Sequence, residues 1–167
     1  MWREERVPLM GRIEGEIRIN RPVDEVFDFV ADERNEPRFN PRMLCAQLLS
    51  PEPIGSGSRF LVQSRMLRRS VETEVELTAF ERPRLLGSRS RSVTRGRESR
   101  SMTTEGKLIF EPMADGTRMR WSWRVATPGA ARLIAPLFVL VGRRQEKTIW
   151  RNLKRLLETQ APAQRRS

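Results

Sequence analysis

Two amide side chains interrupt the apolar stripe of the last helical segment, and they are the residues best placed to do chemistry. Gln145 and Asn152 lie seven residues apart, which puts both on the face formed by Val141, Ile149 and Leu153. A buried amide needs a hydrogen-bond partner, and a ligand or an ordered water can supply it. We therefore predict that these two amides face a bound molecule beneath the helix.

The composition gives little support to an acid–base or metal-dependent enzyme. The 167 residues include no His and no Tyr, which removes the commonest general base, the commonest metal ligand and any phenol chemistry. The one cysteine, Cys45, has no histidine to activate it, so we expect a small core or edge residue. No carboxylate pair or metal-ligand cluster falls on a predicted inward face. We expect no metal and no cofactor, and the residues favour a binding protein while leaving catalysis open.

Arginine dominates the charge of the chain. Lys and Arg total 32 against 21 acids, a net charge of +11, and only Lys107, Lys147 and Lys154 are lysines. One interpretation is a patch for the phosphates of nucleic acid or of anionic lipid. The other is a solvated sheet face whose arginines pair with acids on neighbouring strands. The residues in question are Arg89, Arg91, Arg95, Arg97, Arg100, Arg118, Arg120 and Arg124, opposite Glu72, Glu74, Glu76 and Glu105.

Nucleic acid and membrane are not equally supported as partners. No aromatic residue lies among these arginines, so a base-stacking platform is missing and we do not expect nucleic-acid binding. The apolar run 133–141 lies beside Arg132, Arg143 and Arg144, an arrangement that suits transient contact with an anionic membrane surface. The pattern predicts no oligomeric state.

The elements that must position the two amides are alternating strands between helices. The pattern predicts a strand from Gly11, a helix at 22–31 that begins at Pro22, and a short helix or turn anchored by Phe39. Six strands joined by tight turns then imply an antiparallel meander, before a long amphipathic helix at 137–158. Helices on one face of such a sheet give an α+β domain. The six strands are predicted at 43–49, 59–67, 71–80, 85–93, 102–110 and 117–125.

The predicted organisation is a single domain at 11–159, with an N-terminal arm at 1–10 and a disordered tail at 160–167. The start of the chain is charged and lacks an apolar signal region, and the run 133–141 is about half the length that spans a bilayer. We therefore expect a cytoplasmic protein. Pro136 leaves two alternatives open: it kinks the last helix near a ligand entrance, or it stands in that helix's first turn.

Four stretches make the chain resemble a known superfamily. They are INRPVDEVFDFVAD after the first strand, the turn Phe39-Asn40-Pro41, DGTRMRWSW in the last hairpin and RRQEKTIWRNLKRLLE at the end. In these stretches and in element order, residues 11–158 resemble the START/Bet v 1-like (SRPBCC) superfamily, in particular its polyketide cyclase/dehydrase-like group. The resemblance implies the helix-grip fold: a seven-stranded antiparallel sheet wrapped around a long C-terminal helix, with two short helices after strand 1 and a hydrophobic cavity inside. It also implies binding of lipids, sterols, polyketides, hormones or aromatic compounds, with catalysis in some members only.

Strand alternation and the helix stripe predict the wall of that cavity. Small inward residues on neighbouring strands leave volume that the tryptophans need not fill, although an apolar strand face under a helix is more often simply core. The predicted wall consists of Phe29, Phe39, Phe60, Val62, Ser64, Thr73, Val75, Leu77, Ser88, Thr104, Trp121, Trp123, Leu137, Val141, Gln145, Ile149 and Asn152.

Three functions remain open at this stage. The first is binding or transport of a hydrophobic or amphipathic small molecule in the internal cavity. The second is a polyketide cyclase/dehydrase or aromatase-type enzyme that holds a reactive substrate in shape. The third is an anionic membrane-surface or nucleic-acid binder that uses the outer-face arginines. The fold alone does not decide between them.

Overall fold

The computed structural model describes residues 9–66, 69–93, 103–126 and 135–160. Seven strands are interspersed with an α-helix and a 3-10 helix near the start and followed by a long α-helix. They are β1 Leu9–Ile19, α1 Val23–Ala31, a 3-10 helix Glu33–Arg38, β2 Met43–Leu48, β3 Arg59–Met66, β4 Arg69–Glu81, β5 Leu85–Val93, β6 Thr103–Met113, β7 Gly116–Ala126 and α2 Ala135–Thr159.

All seven strands form one antiparallel sheet in the order β1-β7-β6-β5-β4-β3-β2. The predicted α+β helix-grip architecture is confirmed. β1 begins at Leu9, two residues before the predicted boundary, and α2 contains Pro136 at its second position. β2 is an edge strand, and Cys45 lies exposed on it. The hairpin tip at 94–97 and the run 133–134 lie outside the described residues.

α1 closes one end of the sheet because its apolar residues recur at helical spacing. Pro22 precedes the helix, and Asp24 and Glu25 lie in its first turn, where the helix dipole favours acids. Its Phe27 is fully buried and packs edge-on against Phe80 and Phe110, with ring centroids 5.2 and 5.1 Å away. This end of the molecule is close-packed.

α2 crosses the sheet on β1, and Gly142 lies where the two come close. A Cβ atom at Gly142 would lie 2.6 Å from Cδ1 of Ile13, so a larger residue would require the end of that side chain to move. Further along, Lys154 donates to the carbonyl of Arg18 at 2.7 Å, and Arg21 donates to the carbonyl of Leu157 at 2.7 Å. The helix is therefore held along its length against β1.

The inward face of α2 is shifted by one position from the predicted stripe, and Leu153 is common to both. It runs through Gly142, Glu146, Trp150, Leu153 and Leu157, of which the last three are buried. Val141 was predicted to line the cavity, but its side chain is 42% exposed. The reason is helical spacing: with Trp150, Leu153 and Leu157 facing the sheet, position 141 lies on the outward side of α2.

Candidate ligand-binding site

Along β5 and β6, the residues on the inner face of the sheet change from large and buried to small and half-buried. Cross-strand pairing places Ser88 beside Gly106, and Ser90 beside Thr104. Ser92 continues the inward line of β5 past Ser90. All five residues are half-buried, whereas Leu86 and Leu108 on the same inner face are buried. We call the five residues Ser88, Ser90, Ser92, Thr104 and Gly106 the serine floor.

Larger side chains border the serine floor on both sides. On one side β3 and β4 supply Phe60 and Val75, both buried. On the other side the ring of Trp123 lies over Gly106, where a Cβ atom would be 2.5 Å from Cε3 of Trp123. A side chain at position 106 would collide with this ring, so glycine is required for the indole to lie against β6. We call this half-buried part of the inner face the recess, and the internal cavity stays a prediction there.

One carboxylate of α2 lies beside the recess. Oε2 of Glu146 accepts hydrogen bonds from the indole N–H groups of Trp123, at 3.2 Å, and Trp150, at 2.8 Å. Burial raises the pKa of Glu146 to about 7, against the opposing effect of the two indole donors, and the carboxylate of Glu36 adds to the rise. The sequence prediction missed Glu146. Glu146 lies four residues after Gly142 and four residues before Trp150, and this helical spacing could have identified it as an inward residue.

Aromatic rings continue from this carboxylate across the interior. The ring centroid of Trp150 lies 5.7 Å from that of Trp121 and 6.1 Å from that of Phe39, and Phe39 lies 6.2 Å from Phe29. The indole N–H of Trp121 is buried and has no hydrogen-bond partner among the described residues. A buried donor of this kind is costly unless a water or a ligand atom accepts from it.

The two amides predicted to face a ligand have protein partners instead. Oε1 of Gln145 accepts from Nη1 of Arg42 at 2.6 Å, and Nδ2 of Asn152 donates to the carbonyl of Phe39 at 3.1 Å. Both amides thus tie α2 to the segment between the 3-10 helix and β2. Their polarity on an apolar stripe has a structural explanation, and neither needs a ligand.

A second group of carboxylates lies on the 3-10 helix. Asn40 donates to Glu36 at 2.8 Å. Burial raises the pKa of Glu33 well above its ordinary value, and the neighbouring carboxylate of Glu36 raises it further. Glu36 thus connects this group electrostatically to Glu146. No group of three or more side chains suited to a metal ion occurs among the residues that the structure describes.

The predicted wall residues whose side chains are described, apart from Val141, fall into two environments. Those in the packed core are Phe39, Phe60, Val62, Val75, Leu77 and Trp121. Those that are half-buried are Phe29, Ser64, Thr73, Ser88, Thr104, Trp123, Gln145, Ile149 and Asn152. The side chain of Leu137 lies outside the described part.

Some of the predicted outer-face arginines pair with acids, whereas Arg91 and Arg124 form no ion pair among the described residues. Arg59 pairs with Glu74, and Arg89 lies 3.3 Å from Glu105. Arg120 pairs with Glu111. These contacts agree with a solvated sheet face. The predicted Arg95, Arg97 and Arg100 lie outside the described residues.

A small cleft lies away from the recess, where the end of β1 meets the β6–β7 turn and α2. Its volume is about 100 Å³, below the roughly 300–1,000 Å³ that is usual for small-molecule sites. The cleft is lined by Arg18, Ile19, Asn20, Met113, Asp115, Thr117 and Lys154. The recess, and not this cleft, is the candidate ligand-binding site. None of the described helices has the length and apolar character needed to cross a membrane.

Comparison with known proteins agrees with the fold. A family profile described as polyketide cyclase/dehydrase and lipid transport matches residues 10–158. Among solved structures, Ara h 8.0201 is 15% identical with a TM-score of 0.65, covering 90% of this chain and 99% of its own. A START superfamily protein from Mycobacterium smegmatis is 12% identical with a TM-score of 0.68, covering 88% and 97%.

A biosynthetic protein is also similar in structure. The di-domain ARO/CYC BexL from the BE-7585A biosynthetic pathway is 16% identical with a TM-score of 0.65, and the match covers 90% of this chain and 51% of that one. At these identities the likeness concerns the fold alone. No curated protein matches the chain in sequence at a significant level.

Proposed function

The chain belongs to the polyketide cyclase/dehydrase and lipid-transport family, and from this premise we propose that it binds a small hydrophobic or amphipathic molecule on the serine floor. The observation that carries the proposal is the change from large buried to small half-buried residues along β5 and β6. Leu86 is followed on the inner face by Ser88 and Ser90, and Thr104 and Gly106 precede Leu108. Small side chains at these positions take up less volume than Leu86 and Leu108, which provides space for a ligand.

The residues that border the serine floor determine which class of ligand can bind there. The half-buried indole of Trp123 offers apolar surface beside the serine floor, so an aromatic or lipid-like ligand suits this position. A ligand that removes about 200 Å² of apolar surface from water gains about 5 kcal/mol before the cost of association. Hydroxyls of Ser90 and Thr104 can then orient one polar group of the ligand.

Filling the recess tests the proposal. The neutral apolar dye N-phenyl-1-naphthylamine serves as the probe, because its fluorescence rises in an apolar site. Ser90→Phe is expected to weaken probe binding by about tenfold or more, since the new ring occupies the recess. The matched control is Arg91→Phe, which places the same ring on the outer face of the same strand. Equal probe affinity in Ser90→Phe and the unaltered protein would overturn the proposal.

A second candidate function is that of a cyclase/dehydrase enzyme, and Glu146 is the specific observation in its favour. A carboxyl group with a pKa of about 7 is suited to general acid–base work at neutral pH. Such a group can take the proton next to a carbonyl of a β-hydroxy substrate and return it to the departing hydroxyl. The products are then an α,β-unsaturated carbonyl compound and water, with the carboxylate restored.

Glu146→Gln separates the two candidates, because an amide oxygen still accepts from the two indoles but takes no proton. A β-hydroxyacyl thioester of N-acetylcysteamine is the test substrate, with dehydration followed by absorbance. The enzyme alternative predicts turnover by the unaltered protein, with a rate that changes near pH 7 and is lost in the variant. Binding of the naphthylamine probe is expected to persist in both proteins. Equal turnover in both, or none in either, would reject Glu146 as the acid–base group.

A further inference from the structure

The outward face of α2 carries a line of cations. Arg144, Lys147, Arg151 and Arg155 are exposed and follow one another at steps of three and four residues. At about 100° per residue they lie within an arc of about 80°. We call these four residues the basic line. None of them forms an ion pair with a carboxylate in the part of the chain that the structure describes.

The acids of α2 do not neutralise the basic line. Glu146 points inward, where it accepts from two indoles. Glu158 accepts from the backbone N–H of Asn20 at 2.7 Å and pairs with Lys154 at 3.0 Å. Arg89 and Arg120 on the sheet, in contrast, have acidic partners. The charge of the basic line is therefore available to an external anion.

Exposed apolar residues stand at the start of the same face. Leu140 is 52% exposed and Val141 is 42% exposed, two of the four large apolar side chains exposed in the described part of the chain. Leu140 lies four residues before Arg144, within the arc of the basic line. Cations that follow an exposed leucine on one helix face suit a surface that is both negative and apolar.

This end of α2 also lies at the recess end of the sheet. Gly142 contacts Ile13, Ile13 pairs with Trp123, and the ring of Trp123 covers Gly106 of the serine floor. The start of the outward face of α2 therefore lies at the same end of the sheet as the serine floor. A contact through the outer surface of α2 does not require a ligand in the recess.

We propose that the outward face of α2 docks on an anionic lipid surface. The basic line contacts the headgroup phosphates, and Leu140 and Val141 enter the boundary between headgroups and acyl chains. Exposed aliphatic residues favour lipid over nucleic acid, because nucleic-acid binding without sequence preference typically adds aromatic stacking to the positive charge.

Co-sedimentation of the full chain with lipid vesicles tests this docking. Vesicles of phosphatidylcholine alone are compared with vesicles that also contain phosphatidylglycerol, at low and at moderate salt. We expect binding to the anionic vesicles only, weakened by added salt. The triple variant Arg144→Gln, Lys147→Gln and Arg151→Gln is expected to bind about a hundredfold more weakly, and Leu140→Ser several-fold more weakly.

The matched control removes the same charge from the sheet: Arg59→Gln, Arg89→Gln and Arg120→Gln. Its expected vesicle binding is within about threefold of that of the unaltered protein. Equal losses in the two triple variants would overturn the proposal, because net charge alone would then explain binding. Absence of binding to anionic vesicles would also overturn it. Tighter binding of the protein to duplex DNA than to the vesicles, with that binding lost in the α2 triple variant, would overturn it as well. The surface would then be a nucleic-acid site.

Discussion

The two ends of the inner sheet face are built from the same strands and differ in what they leave open. Toward α1, β6 presents Leu108 and Phe110, both buried under the helices. Toward the start of α2, the same strand presents Thr104 and Gly106, both half-buried. A change of side-chain size over four residues therefore separates a core from a recess. The difference shows that the fold supplies the concave surface and that local residue size decides whether it is filled.

The largest expected effect contrasts the stability of the two ends. Leu108→Ala is expected to lower the free energy of unfolding by about 2–5 kcal/mol, because it leaves a cavity in a packed core. Thr104→Ala on the same strand is expected to change it by about 0.5 kcal/mol or less. Urea unfolding of both variants measures the contrast. Similar losses in the two variants would mean that the recess end is packed as tightly as the core.

The carboxylate at the boundary between the two ends gives the next prediction, a pH dependence. The pKa of Glu146 is raised to about 7 in the folded protein, so the folded state holds this proton more tightly than the unfolded chain. The resulting stabilisation is fully present below about pH 4.5 and is lost as the pH rises through about 7. Its size is about 2–3 kcal/mol, allowing for partial hydration.

Glu146→Gln isolates that pH dependence from the one contributed by Glu33. The difference in the free energy of unfolding, variant minus unaltered protein, is expected to rise by about 2–3 kcal/mol as the pH goes from 5 to 8. Urea unfolding of the two proteins at both pH values provides the comparison. A stability difference that stays constant with pH would show that Glu146 titrates as an ordinary exposed carboxylate.

The smallest expected effect concerns the amide that the sequence prediction favoured as a ligand contact. Gln145→Leu is expected to change the affinity for the naphthylamine probe by no more than about threefold, because Arg42 already satisfies its oxygen. Probe titration beside Ser90→Phe measures this directly. A tenfold loss of probe affinity in Gln145→Leu would indicate that the ligand binds at the amides and not on the serine floor.

Element order and the inward face of most strands follow closely from the sequence. Alternation of large and small or charged residues identified the strands, and the tight turns between them implied antiparallel neighbours. β4 illustrates this, since Val75 and Leu77 are buried as their alternation with Glu74 and Glu76 predicts. These features depend on local periodicity, which a single sequence contains.

The rotation of α2 and the extent of packing depend on contacts that the sequence alone does not fix. The stripe through Ile149 and Leu156 and the stripe through Trp150 and Leu157 are both apolar, so either could face the sheet. In the structure the second stripe faces the sheet, and Glu146 lies inward in place of Gln145. Whether an inward serine lines a recess or fills a core likewise depends on how far the helix stands from the sheet.

Indole N–H NMR during probe titration tests the central claim, that a hydrophobic ligand lies on the serine floor beside Trp123. Resonances are assigned with Trp→Phe variants, and the backbone amide of Phe27 reports on the packed end. Saturating N-phenyl-1-naphthylamine is predicted to shift the Trp123 indole resonance most strongly and to leave Phe27 unchanged. An unmoved Trp123 resonance with the probe bound, or a largest shift at Phe27, would contradict the account.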